Sequence, residues 1–75
     1  MTTFSQQVDK AWSKISPIGK TTTTYIQRIM GIGYNRAVKI TTELEGLGII
    51  SPAEGIKPRV VLKPFKKDDV DSTTN

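Results

Sequence analysis

The stretch at positions 32–50, IGYNRAVKITTELEGLGII, constrains the fold more than any other part of the chain. Its apolar residues recur at i, i+3, i+7 and i+10, the spacing that puts side chains on one face of a helix. Polar residues fall mainly on the other faces. The pattern predicts a helix over residues 34–47 that is anchored along one side. The apolar stripe consists of Ala37, Ile40, Leu44 and Leu47.

The polar side of this predicted helix begins with an amide and two cations, Asn35, Arg36 and Lys39, and continues with Thr42. Asn can bond both N6 and N7 of adenine, while Arg or Lys can reach O6 and N7 of guanine or a phosphate. These residue types suit a helix that reads bases in a DNA groove. An ordinary core helix with a solvated polar face fits this stretch equally well, so the neighbouring segments must decide.

Charge is distributed unevenly along the 75 residues. Residues 1–67 hold all eleven Lys and Arg and only four acids, a net charge of +7. The last eight residues, DDVDSTTN, carry three acids and no base. A basic body of this kind favours a polyanionic partner, with nucleic acid first. The alternative is that the positive charge only aids solubility.

The residue types that most enzyme chemistry requires are missing. The sequence contains no His and no Cys, so the commonest general base, thiol nucleophiles and soft metal ligands are absent. A chain of this length is also too small for a deep catalytic cleft. We therefore predict no enzymatic activity, no cofactor and no metal site. Because no apolar run approaches the roughly 20 residues that cross a bilayer, and no signal peptide is visible, we expect a cytoplasmic, DNA-associated protein.

A first helix is predicted from an apolar stripe at i, i+4, i+7, i+8 and i+11. Either Thr3 or Ser5 is available as its cap, and Ser16 and Pro17 end it, because the residue before a proline is pushed away from helical geometry. Its tryptophan is expected to belong to the core. The stripe consists of Phe4, Val8, Ala11, Trp12 and Ile15.

A second helix is predicted to follow KTTTT, with Thr22 as its cap and Met30 near its end. Ile26, Ile29 and Met30 are expected to face inward. A glycine-bearing turn at 31–33 then leads into the polar helix. Two helices joined by such a turn, the second one polar and basic at its start, are typical of a helix-turn-helix.

Two short strands, 49–51 and 59–63, are predicted after the third helix. The loop between them, PAEGIKP, is too long for a tight hairpin and is typical of a wing. The strand register stays open, because three consecutive apolar residues at 60–62 allow either alternation. The prediction is thus an α+β, mostly α, winged helix-turn-helix with three helices and a two-stranded β wing. Residues 1–3 are expected to be a flexible N-terminus, 4–63 the domain, and 64–75 an acidic, disordered tail.

Three elements of this prediction converge on DNA: the start of helix 3, the start of helix 2 and the basic wing. The residues predicted to read bases are Asn35, Arg36, Lys39 and Thr42. The residues predicted to bind phosphates are Thr22, Thr24, Gln27, Arg28, Lys57 and Arg59.

The run IQRIMGIGYNRAVKITTELEGLGIISP, at 26–52, resembles the gamma domain at the C-terminus of FtsK-type DNA translocases. That family has a V/I-Q-R segment, IGYNRAAR, a Glu-rich helix end, a glycine and a short apolar strand. The resemblance implies a winged helix that reads short, G-rich, polar sequences in double-stranded DNA, with several copies able to sit side by side. In that family the domain directs a motor along the chromosome and touches a site-specific recombinase.

The sequence departs from the family pattern at two of the predicted base-reading positions. Asn35 and Arg36 match the family's Asn-Arg. Lys39 stands where the family usually has an Arg and loses its bidentate fork, while Thr42 stands where the family often has a Glu and removes an acceptor for cytosine N4. The resemblance therefore does not establish that the target sequence is the family's, even if the binding mode is shared. No motor accompanies the domain, so the chain is expected to be a cut-out domain or a free-standing small protein.

These patterns lead to two hypotheses of different classes. The first is sequence-preferring binding to double-stranded DNA, with helix 34–47 in the major groove, by a monomer or by several copies side by side. A recombinase or other DNA-processing protein is a further expected partner, and a membrane is not. The second is a protein-interaction winged helix with only non-specific DNA affinity. A hydrolase or nuclease, the third class, lacks the residues for its chemistry.

Overall fold

Three helices and a two-stranded antiparallel sheet make up residues 3–65, the part of the chain that the computed structural model describes. This confirms the predicted fold class. The elements in chain order are α1 (Phe4–Ile15), β1 (Lys20–Thr21), α2 (Thr23–Met30), α3 (Tyr34–Gly46) and β2 (Arg59–Val60).

Helix α1 begins with a capping box. The Thr3 hydroxyl accepts a hydrogen bond from the Gln6 backbone N–H at 3.1 Å, and the Gln6 side chain accepts one from the Thr3 N–H at 2.9 Å. This reciprocal pair satisfies two of the donors that a helix start leaves open. The helix ends at Ile15, just before Ser16 and Pro17. Thr3 is one of the two caps predicted, and the end of the helix was predicted correctly.

Helix α2 begins and ends as its sequence predicts. The Thr22 hydroxyl accepts a hydrogen bond from the Tyr25 N–H at 3.0 Å, which caps the first turn. Gly31 closes the helix in the left-handed conformation, with φ at 64°, where a side chain would be strained. Since only two further residues precede Tyr34, α3 leaves this turn at a defined angle.

The core lies where the three helices meet. All three helices contribute to it, together with two residues that follow α3. Helix α3 is therefore anchored by the other two helices and by the residues just beyond its own C-terminus. Among the partly buried residues packed against this core are Phe4 and Trp12 of α1 and Ile29 and Met30 of α2. The buried apolar residues are Val8, Ala11, Ile15, Ile26, Ala37, Ile40, Leu44, Ile49 and Ile50.

The prediction that Leu47 belongs to the apolar stripe of α3 is wrong. Helix α3 ends at Gly46, and the Leu47 side chain is 50% exposed. Beyond the helix the chain turns back through Gly48, and the Ile49 N–H donates to the Leu44 carbonyl at 2.9 Å. Ile49, which is 2% exposed, is therefore the next core residue after Leu44.

The sheet differs from the predicted wing. Strand β2 pairs with β1, with Lys20 opposite Val60 and Thr21 opposite Arg59, whereas segment 49–51 contributes only the bridge between Ile50 and Val61. The sequence of residues 20–24 predicts only helix caps and no strand. A two-residue strand has no alternation to detect, and its partner lies almost forty residues away. The structure also resolves the register, since Val61 is half-buried and its neighbours in sequence are exposed.

The end of the described chain is bound to α1. The Trp12 indole N–H donates to the Lys63 carbonyl at 2.8 Å, and the Phe65 N–H donates to the Ser16 hydroxyl at 2.8 Å. The Trp12 and Phe65 rings meet edge to face, with 5.2 Å between centroids. Trp12 thus packs against the core and also contacts residues 63–65, the end of the described segment. Most of the predicted tail, residues 66–75, and residues 1 and 2 lie outside the described residues.

Candidate nucleic-acid interface

The exposed crest of α3 carries the predicted base-reading residues. Its opposite side is fully buried, with Ala37, Ile40, Thr41 and Leu44 each exposed by 2% or less. At about 100° of rotation per residue, three of the four predicted residues fall within an arc of about 60° facing away from the core. Asn35, Lys39 and Thr42 form this arc, which we call the α3 crest, and all three are exposed.

A buried threonine helps to set the rotation of α3. Thr41 is the one polar residue on the buried side of this helix, and its hydroxyl donates to the Ala37 carbonyl at 2.8 Å. The hydroxyl therefore enters the core without an unsatisfied hydrogen-bonding group. Because Ile40 and Leu44 flank it in the core, α3 cannot rotate without exposing apolar surface, and the crest stays directed outward.

Arg36 is exposed but does not belong to the crest. It lies about 100° around the helix from Asn35, on the side that faces α1. Its guanidinium carbon is 5.7 Å from the centroid of the Phe4 ring, within the range of a cation–π contact. The structure thus separates Arg36 from the other three residues. Phe4 was missed as a contributor, and no local pattern signals a contact between positions 4 and 36.

The predicted phosphate-binding residues on α2 are in different environments. Thr24 and Arg28 are exposed one turn apart, so their side chains project from the same side of the helix. Gln27 is half-buried. Thr22 is half-buried as well and accepts the capping bond from Tyr25, which leaves its hydroxyl hydrogen as the group able to donate to a phosphate.

Lys57 and Arg59, the two predicted phosphate-binding residues of the wing, are held differently. Lys57 lies in the loop 52–58, in which every residue is exposed, and its backbone N–H donates to the Glu54 carbonyl at 3.2 Å. Arg59 instead forms an ion pair with Glu45 of α3, with 2.8 Å between Nη1 and Oε1. Its side chain is 19% exposed, so the remaining guanidinium donors are only partly accessible.

The wing is joined to the sheet at Ser51. The Ser51 N–H donates to the Val60 carbonyl and the Val60 N–H donates to the Ser51 hydroxyl, each at 2.9 Å. Lys63, which follows, donates from its ammonium to the Leu47 carbonyl at 3.3 Å, near the C-terminal end of α3. Positive charge therefore reaches both the loop tip and the base of the wing.

Within residues 3–65 no group of acidic side chains has the arrangement needed to hold a metal ion. None of the three helices described is long and apolar enough to cross a membrane.

Known proteins are similar in sequence to this chain over most of its length. The sequence profile of the FtsK gamma domain matches residues 5–64. The DNA translocase FtsK of Treponema pallidum is 42% identical over 55 residues, and that of Mesorhizobium japonicum is 43% identical over 60 residues. These alignments cover 73% and 80% of the chain and 7% of each relative. The translocase FtsK of Agrobacterium fabrum is 40% identical over 63 residues, which is 84% of the chain and 7% of that protein.

Proposed function

Since the chain belongs to the FtsK gamma domain family, we propose that it binds double-stranded DNA with a preference for sequence, inserting α3 into the major groove. Family membership confirms the resemblance predicted from positions 26–52. It supports a DNA-binding module of FtsK-type translocases rather than their ATPase part. The chain spans about 7% of the length of these three translocases. Because the alignments cover so little of each relative, a role in translocation is also part of the proposal.

The observation that carries the proposal is the composition and direction of the α3 crest. An amide, an ammonium and a hydroxyl lie side by side on the exposed side of a helix whose other side is anchored in the core. A helix is about 10–12 Å across with its side chains, and the major groove is about 12 Å wide. The amide of Asn35 argues most directly for base reading, because positive charge alone would satisfy any acidic partner.

Each crest residue has a distinct chemical role in this proposal. Asn35 accepts from N6 and donates to N7 of adenine, and Lys39 donates to O6 or N7 of guanine. Thr42 adjusts the preference through its hydroxyl and methyl groups. Arg36 approaches the DNA from the flank nearest α1, where its guanidinium reaches either a base edge or a phosphate.

The contacts to the DNA backbone would come from both sides of α3. The phosphates of one DNA strand would be bound by Arg28 and by the hydroxyls of Thr22 and Thr24, with Gln27 beside them. The phosphates that flank the site, under the wing, would be bound by Lys57 and Arg59. If about five phosphates are contacted, the logarithm of affinity should fall with the logarithm of salt concentration at a slope of about −4 to −5.

Selection of bound duplexes from a random pool, followed by salt titration on the enriched sequence, tests the proposal. We expect enrichment of an asymmetric, G-rich motif. Equal recovery of all sequences would contradict base reading, and a slope near zero would contradict a phosphate-contacting interface. Stoichiometry on a duplex with one or two sites would show whether one copy or several bind side by side.

The second candidate is a protein-interaction module with only non-specific DNA affinity. Exposed apolar residues in and beside the sheet favour it, since Ile18, Val60 and Leu62 are each about half exposed. Val60 and Leu62 lie on either side of the half-buried Val61, and alternation along an extended chain puts them on one face. A recombinase or other DNA-processing protein is the partner we propose for this face. Titration with a purified recombinase should then be weakened by Leu62→Ser and unaffected by Asn35→Ala.

A further inference from the structure

Val38 is an apolar side chain on the side of α3 that we propose faces DNA. It is 38% exposed, although it lies in the middle of a helix whose buried side is complete without it. Its position is about 60° from Asn35 and about 40° from Thr42 around the helix axis. Val38 therefore extends the α3 crest on the side opposite Arg36.

The neighbours of Val38 define what it would meet in a groove. Residues three and four apart on a helix have Cβ atoms about 5–6 Å apart, so Val38 adjoins Asn35 on one turn and Thr42 on the next. A base edge that is reached by either polar side chain lies beside the valine methyl groups. The apolar group that base pairs present in the major groove is the C5 methyl of thymine.

We infer that Val38 is a specificity residue that packs against a thymine C5 methyl, at the base step next to the one that Asn35 reads. This inference rests on the proposed function. Its chemistry differs from that of the polar crest residues, because it discriminates by burying a methyl group and not by a hydrogen bond. The predicted consequence is a preferred site with a fixed thymine, in which that thymine is distinguished from uracil.

The test replaces each thymine of the selected duplex, one at a time, by deoxyuridine, which lacks only the C5 methyl. At one position we expect binding by the wild-type protein to weaken about fourfold, the effect of one buried methyl group. Val38→Ala should bind the thymine duplex about as weakly and should lose all distinction between thymine and deoxyuridine there. Alanine is the better helix former, so this variant is expected to remain folded.

Two further variants make the result specific. Leu47→Ala removes another exposed apolar side chain, just beyond the end of α3, and should keep the distinction between thymine and deoxyuridine. Thr42→Ser removes the nearest competing methyl group; because Thr42 is itself a proposed reading residue, overall affinity should change, but the distinction between thymine and deoxyuridine should persist. If the distinction disappears in Thr42→Ser and persists in Val38→Ala, the methyl is read by Thr42 and the inference is wrong.

The remaining outcomes separate this inference from the proposed function. A selected site that is bound equally well with deoxyuridine at every thymine overturns the role of Val38 and leaves sequence-preferring binding intact. Failure to enrich any sequence overturns the proposed function, and the role of Val38 with it.

Discussion

Helix α3 and the wing loop 52–58 both present polar side chains to solvent, yet the fold supports them in opposite ways. Four residues of α3 are buried to 2% exposure or less, so its outward side chains project from a backbone that the core holds in one rotation. The loop has no buried residue, and Ile56 at its tip is fully exposed. Base reading needs side chains in a fixed geometry, whereas cationic side chains can bind phosphates in a range of geometries. We therefore propose that α3 provides sequence preference and that the wing provides salt-dependent affinity.

The two regions meet at the ion pair between Arg59 and Glu45. Glu45 lies in the last turns of α3 and Arg59 begins β2, so this pair connects the end of the helix to the base of the loop. It holds the base of the wing close to α3, while the tip around Gly55 is exposed to solvent. The difference between the two regions can be tested by variants that act on one and spare the other.

Leu44→Ala should have the largest effect, because it removes the anchor of α3. Leu44 is fully buried, and truncation of such a residue costs about 2–5 kcal/mol of unfolding free energy. Urea denaturation followed by circular dichroism measures it. The matched control is Leu47→Ala, which deletes the same atoms at a half-exposed position and should cost far less. Equal losses would show that α3 is anchored differently.

Asn35→Ala should affect binding without affecting the fold. We expect a loss of about 1–3 kcal/mol on the selected sequence, together with relaxed discrimination at one base pair, because we propose that the amide reads adenine through two hydrogen bonds. Fluorescence anisotropy on the selected duplex and on a scrambled duplex measures both quantities. A loss of the same size on the two duplexes would assign Asn35 to the backbone and remove the basis for placing specificity on α3.

Lys57→Gln should weaken binding to all sequences alike and make the salt slope shallower by about one unit, the contribution of one phosphate contact. Anisotropy at several salt concentrations measures the slope. Lys14→Gln, a substitution at an exposed position near the end of α1, serves as the control and should leave the slope unchanged. A change in base preference with Lys57→Gln would give the wing a reading function that we do not assign to it.

Glu45→Gln should have the smallest effect, since partly exposed ion pairs contribute about 1 kcal/mol or less to stability. Urea denaturation at low and high salt measures the loss, which should shrink as salt screens the pair. Glu43→Gln makes the same change in charge on the same helix and provides the baseline. A destabilisation of several kcal/mol would mean that the wing supports α3, reversing the relation described above.

Local signals were sufficient to predict most of the fold. The Thr22 cap and the end of α1 before Pro17 each depend on residues within one turn, and both were predicted correctly. Thr3 was one of two predicted caps for α1, and Gly31 lies in the predicted turn at 31–33. The predicted direction of the α3 crest also follows from local periodicity, and its residues are exposed as expected.

Most of the features that sequence reasoning missed depend on distant parts of the chain. Strand β1 exists because residue 60 comes to lie beside residue 20, and Arg36 contacts Phe4 across 32 positions. Leu47 was assigned to the core because the periodicity continues after the helix has ended. The pairing of Arg59 with Glu45 likewise joins two elements whose separation in space no spacing rule supplies.

The contact between Trp12 and the chain end has a practical consequence. Trp12 is the single tryptophan of the protein, and its indole is bonded to Lys63 and packed against Phe65. Ultraviolet emission from this one natural fluorophore should shift to longer wavelength whenever the segment leading to the C-terminus detaches. Undocking of that segment, whether by heat, denaturant or a bound ligand, can therefore be followed optically without attaching a dye.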